Sequence, residues 1–182
     1  MNLAARILKW KHWNFKLNTE IPDKCVICVA PHTSNWDFIL GELCIRSIGK
    51  TASFLMKKTW FFFPLGYIMR ALGGIPVVQG KSTHVTQSVV DEFARRDRLS
   101  VAVTPEGTRS PNPNWHKGFL HIAQQAQVPL ILAYFDYKNH IVCIDRTLTL
   151  TGDVEADLLT VKRYYNQTPC SGLRPEKFTT GL

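Results

Sequence analysis

Residues 25–37 read CVICVAPHTSNWD, and the change of character inside this stretch decides the fold. Residues 25–30 are short, β-branched and almost wholly apolar, the pattern of a strand buried on both faces. The run stops at Pro31-His32. Thr33, Ser34, Asn35 and Asp37 are residue types that cap helix N-termini, and the helical stretch at 38–48 ends at Gly49. A buried strand passing through a short polar turn into a helix is one unit of a parallel α/β sheet.

The same alternation continues downstream. Strands are expected at 51–56, 75–78, 99–104 and 129–134, with helices at 64–72, 83–95 and 118–126 between them. Residues 140–150 predict one or two more strands, and Asp153 is placed to cap a last helix running to Tyr165. The predicted fold class is α/β: a single domain whose mostly parallel central sheet is flanked by helices, with its site at the carboxyl ends of the strands. A chain of 182 residues supports one core and is too short for two ordinary ones.

Upstream of the deciding stretch, residues 1–17 carry Arg6, Lys9, Lys11 and Lys16 and no acid. On a helix, Leu3, Ile7, Trp10, Trp13 and Leu17 share a face, with lysines flanking it. An N-terminal amphipathic helix of this kind suits either packing on the domain or contact with an anionic membrane surface. Residues 1–20 are therefore read as a membrane-contact segment and 21–182 as the domain proper.

The formal charge of +8 calls for an anionic partner: nucleic acid, lipid headgroups, a phosphorylated substrate or an acidic carrier protein. Nucleic acid is disfavoured, because the basic residues are spread along the chain and no recognition motif is present. The most apolar run, 60–69, is broken by Pro64 and Gly66 and is far shorter than the roughly 20 residues that span a bilayer. Five irregularly spaced cysteines, with no secretory signal before them, predict a reducing cytoplasmic location and ordinary core thiols. Neither Cys25-Val-Ile-Cys28 nor His84, His116, His121 and His140 shows metal-ligand spacing, so no metal is expected.

Two polar segments follow directly on buried strands. His32 and Asp37 straddle a strand-to-helix junction where the chain can fold back and bring the carboxylate to the imidazole. Such a pair fixes the ring tautomer and leaves the other nitrogen to take a proton. Pro105-Glu106-Gly107-Thr108-Arg109-Ser110 combines a glycine for close backbone approach, hydroxyl donors and a guanidinium fork, a set suited to an anionic oxygen cluster. Ser34 has no nucleophile-elbow context, which disfavours a covalent acyl-serine route.

Four ordered blocks, His32-Thr-Ser-Asn-Trp-Asp37, Gly73-Gly74-Ile75-Pro76-Val77, Glu106-Gly107-Thr108-Arg109-Ser110 and Val128-Pro129-Leu130-Ile131, resemble those of the glycerolipid acyltransferases, whose archetype is 1-acylglycerol-3-phosphate acyltransferase. The resemblance runs from about Cys25 to Phe178 and includes Lys57 and Lys117-Gly118. It implies that His32 is the general base and Asp37 its orienter. It further implies that Lys57, Glu106, Gly107, Thr108, Arg109, Ser110 and Lys117 bind or position the acceptor. The donor would be acyl-CoA or acyl carrier protein, used as substrate, with no cofactor. The acceptor would be a lysophospholipid at the cytoplasmic face of a membrane, most simply 1-acylglycerol-3-phosphate.

One departure bears on the acceptor. The second block commonly ends in an arginine that helps hold the acceptor phosphate, whereas here the run is Ile75-Pro76-Val77-Val78-Gln79. A neutral amide cannot replace a guanidinium fork, so Lys57, Lys58, Lys81 or Arg109 compensates or another lyso-lipid is the acceptor. Residues 54–69 are aromatic and apolar and could line an acyl-chain groove. The competing readings are a basic lipid-binding protein without catalysis and a nucleic-acid binder.

Overall fold

The apolar run at 25–30 forms most of β2 (Lys24–Ala30), in which Cys25, Val26, Ile27, Cys28 and Ala30 are all buried. Alternate residues point to opposite faces of a strand, and here both faces meet a core. Val26, Cys28 and Ala30 join one cluster, while Cys25 and Ile27 join another. The computed structural model describes residues 2–77 and 82–182 of the chain. The Lys57 side chain, Val78, Gln79 and Lys81 lie outside the described residues.

The other strands are β1 (Asn14–Leu17), β3 (Ser53–Lys57), β4 (Gly74–Val77), β5 (Leu99–Val103), β6 (Leu130–Asp136) and β7 (Ile141–Leu148). They form one sheet in the order β1-β7-β6-β2-β5-β3-β4. All neighbours run parallel except the β6–β7 hairpin, which is antiparallel. The helices are α1 (Leu3–Trp10), α2 (Trp36–Ser47), α3 (Leu65–Ala71), α4 (Ser82–Arg95), α5 (Gly118–Gln125) and α6 (Val154–Gln167). Side chains of α4, α5 and α6 fill the cluster on one face, among them Val89, Phe93, Phe119, Leu120, Leu158 and Val161. On the other face lie Leu8 of α1 and Leu40, Cys44 and Ile45 of α2. Asp153 caps α6 as expected, its carboxylate accepting the Glu155 and Ala156 N–H groups.

This α/β domain matches the fold read from sequence, with one correction at the N-terminus. The helix stops at Trp10 and does not continue to Leu17. His12 takes a left-handed conformation at φ 57°, and the chain turns into β1, an edge strand paired with β7. Trp13 is consequently not on the helical stripe. It stacks on His140 and meets Tyr137 edge-on, with ring centroids 5.1 and 5.0 Å apart. Tertiary pairing overrides the helical periodicity here, because residues 14–17 pair in parallel with 141–144 on an otherwise open sheet edge.

β2 and β5 are hydrogen-bonded neighbours, yet the chain leaves their ends toward opposite faces, through α2 from β2 and α5 from β5. Such a divergence opens a crevice at the carboxyl end of a parallel sheet. His32 follows β2, and Glu106 follows β5.

Candidate active site

Asp37 lies in the first turn of α2 and is only 2% exposed. Its Oδ2 faces His32 Nδ1 at 3.1 Å and accepts the backbone N–H groups of Thr33 at 2.8 Å and Ser34 at 2.9 Å. The turn between β2 and α2 thus closes on its own carboxylate. Asn35 occupies the position of the helix cap, but its side-chain oxygen accepts from Arg109. A second partner reaches Asp37 from far along the chain: the Tyr137 hydroxyl donates to Oδ1 at 2.7 Å.

Burial is the largest influence on Asp37 and acts to raise its pKa, but the bonds from His32, Tyr137 and the Ser34 and Thr33 amides together outweigh it. The carboxyl is held below its ordinary value and stays ionised at neutral pH. With Nδ1–H turned onto this carboxylate, the half-buried imidazole has Nε2 as its proton-accepting position.

Glu106 does not project toward solvent. It is 3% exposed, and its Oε1 accepts the His32 backbone N–H at 2.8 Å. Oε2 is the buried side-chain oxygen without a hydrogen-bond partner among the described residues. Burial pushes this carboxyl up to about 7, with the nearby Asp37 charge adding to the rise and the His32 amide opposing it. Of the two parts the resemblance offered Glu106, binding or positioning, this placement suits the second. A buried carboxyl bonded to the turn's backbone is arranged as a brace between the ends of β5 and β2.

Gly107 turns the chain at φ +65°, with the His116 ring packed where a side chain would stand. Thr108, Arg109 and Ser110 then run exposed along the rim, and the Arg109 guanidinium reaches Asn35 across the crevice. Lys117 is positioned otherwise. It precedes α5, and its ammonium pairs with Glu155 at the start of α6 rather than with the His32 turn.

Beneath the loop, a groove of about 520 Å³ runs between β3, α4 and α5, lined in part by Leu55, Val85, Val103, Pro105, Phe119 and Ile122. It lies directly before Glu106 in the chain. Of the described side chains at 54–69, Leu55 alone lines it, whereas Phe62, Phe63, Tyr67 and Ile68 are exposed on the surface. This groove draws most of its wall from α4, α5 and the segment from the end of β5. No single stretch of sequence announces it, because its walls come from residues far apart in the chain.

A family model for acyltransferases matches residues 12–135. The chain belongs to the acyltransferase family. It is also 28% identical over 160 residues to human (Homo sapiens) 1-acyl-sn-glycerol-3-phosphate acyltransferase beta, an alignment that covers 82% of this chain and 52% of the relative. The chain thus spans about half the length of the curated relative it matches. Membership bears out the family resemblance, and this acyltransferase carries the first and third blocks just beyond the ends of adjacent strands, joined through Glu106 and Arg109. Tyr137 was not foreseen. It stands 100 residues from Asp37, beyond the matched segment, and no local spacing announces it.

Proposed function

We propose that this acyltransferase moves a fatty acyl group from a thioester, acyl-CoA or acyl carrier protein, to the hydroxyl of a lysophospholipid, with 1-acylglycerol-3-phosphate as the first acceptor to test. The observation that carries the reading is His32 Nδ1 held on the buried Asp37 carboxylate at 3.1 Å, beside a glycine-turned loop bearing Arg109. In this mechanism Nε2 takes the proton from the acceptor hydroxyl as its oxygen attacks the thioester carbonyl. Asp37 stabilises the imidazolium that forms. The tetrahedral intermediate collapses, the carbon–sulfur bond breaks, and the departing thiolate receives the proton from His32. Products are the acylated lipid and a free thiol. Nothing in this sequence of steps calls for a cofactor or a metal.

The acceptor phosphate is assigned to Arg109, with the hydroxyls of Thr108 and Ser110 as further donors and Lys57 as a candidate second cation. The acyl chain is assigned to the apolar groove before Glu106. Glu106 and Gly107 shape the loop, and Lys117, paired with Glu155, has at most an indirect part.

A membrane surface is the proposed source of the acceptor, approached from the cytoplasmic face. No described helix is long and apolar enough to cross a membrane. Exposed apolar side chains include Leu3 and Trp10 on α1, Trp36, Phe38 and Ile39 at the start of α2, and Phe62, Phe63, Tyr67 and Ile68 in and just before α3. The α2 group borders the His32 turn, since Trp36 lies one residue before Asp37. Lys9 and Lys11 accompany the α1 pair, which suits an anionic leaflet.

The test is to supply purified protein with long-chain acyl-CoA and, separately, acyl carrier protein thioester, across a panel of lyso-lipids that includes lysophosphatidate. Thiol release matched by lipid acylation, abolished in His32→Ala, is the expected result. No acylation of any acceptor from either donor would sink the reading. Preference for an acceptor other than lysophosphatidate would assign a functional meaning to Gln79.

A further inference from the structure

We propose that Tyr137 is a positioning residue for the His32–Asp37 pair, fixing the carboxylate through the oxygen that the imidazole does not use. The proposal rests on the catalytic reading of that pair, and its test is chosen to separate the two.

Three donors converge on Asp37 Oδ2: the ring of His32 and the N–H groups of Thr33 and Ser34. Oδ1 is left to Tyr137 at 2.7 Å. Asp37 is almost fully buried, so without that hydroxyl an ionised oxygen would lack a partner, which is costly in a low-dielectric setting. The carboxylate would then be free to rotate toward another donor and carry the imidazole with it. Two points of attachment, one on each oxygen, remove that freedom.

Tyr137 is itself held on several sides. Its backbone N–H donates to the Ser171 carbonyl at 2.9 Å. Its ring lies between Trp13, edge-on at 5.0 Å, and Phe135 at 6.3 Å. Trp13 in turn is stacked on His140 at the far end of the same hairpin turn. The phenol therefore arrives at Asp37 from a seat built by β1, the β6–β7 turn and the segment after α6. Burial, together with the Asp37 charge it faces, pushes its ionisation well above the ordinary value, so it remains a donor throughout the neutral range.

Tyr137→Phe removes the hydroxyl and keeps the ring packing. Asp37 is faced by His32, by Tyr137 and, from the end of β5, by Glu106. With the tyrosine donor gone, its charge is less neutralised and holds an imidazolium more strongly. The His32 titration, followed by NMR and assigned with His32→Gln, should move to higher pH than in the wild type. The acid limb of kcat/KM should move the same way. kcat should fall about 10- to 100-fold, as expected for losing a hydrogen bond to a charged group, while KM for both substrates holds.

A purely structural role would lower activity without moving either titration, and that result would overturn the proposal. An upward shift of the His32 titration in a protein that acylates no acceptor would support the positioning role while removing the proposed reaction. An unshifted titration in an active enzyme would leave the reaction standing and discard Tyr137.

Discussion

The Glu106 carboxylate takes the backbone N–H of His32 at 2.8 Å, so the ends of β5 and β2 are tied by a buried acid raised to about 7. That raised value makes stability depend on pH. The folded chain holds the proton more tightly than the unfolded chain, whose glutamate titrates near 4.5. The contribution is fully present below 4.5 and is lost as pH rises through about 7. The difference is worth about 3 kcal/mol across that window. Glu106→Gln keeps an acceptor for the His32 N–H and cannot ionise. Urea unfolding measured from pH 4 to 8 should therefore show a flatter profile for this variant than for the wild type. Parallel profiles would contradict the assignment.

Gly107 combines a left-handed backbone with the His116 ring lying where a Cβ would stand. Gly107→Ala should cost about 1–2 kcal/mol in thermal or denaturant unfolding, from the backbone conformation and from moving the ring. The His116→Ala background removes the steric part, so the glycine substitution should cost less there. An equal cost in both backgrounds would mean that the exposed ring moves aside freely.

Arg109 lies on the rim and reaches Asn35, which places a guanidinium fork beside the His32 turn. If it holds the acceptor phosphate, Arg109→Ala should raise KM for lysophosphatidate about 10- to 100-fold and leave KM for the acyl donor unchanged. Arg109→Lys should recover only part of this, because an ammonium cannot present two parallel donors. Equal losses toward donor and acceptor would instead indicate that Arg109 shapes the loop.

How far the sequence reaches can be judged from particular residues. The buried run at 25–30, the capping Asp153 and the punctuation at Gly49 are local signals, and each led to the element observed. The His32–Asp37 spacing was legible because both partners lie in one turn. The direction of the Glu106 side chain was not legible, because a motif gives residue types and not directions. Only the pairing of β2 with β5 reveals that its carboxyl faces backbone. The break at His12 was hidden by a helical stripe that continues through Trp13 in the sequence. What diverted the chain was a partner strand more than 120 residues away, which no local window contains.

The apolar surface around α3 gives the last expectation. Phe63 is 82% exposed and Tyr67 72%, and their rings meet edge-on 6.2 Å apart. Leaving such rings in water is costly, and burying one recovers about 1.5–3 kcal/mol, or roughly tenfold or more in binding. Phe63→Ser and Tyr67→Ser should each weaken sedimentation with phosphatidylglycerol-containing vesicles by about that factor and leave turnover of a detergent-dispersed acceptor nearly intact. Trp10→Ser on α1, where the ring is 72% exposed and Lys11 lies over it, tests the other surface in the same assay. Because indole burial and lysine attraction both act there, vesicle binding through α1 should weaken as salt is raised, whereas the share carried by Phe63 and Tyr67 should not. Vesicle binding unchanged in all three variants would rule out both surfaces as membrane contacts.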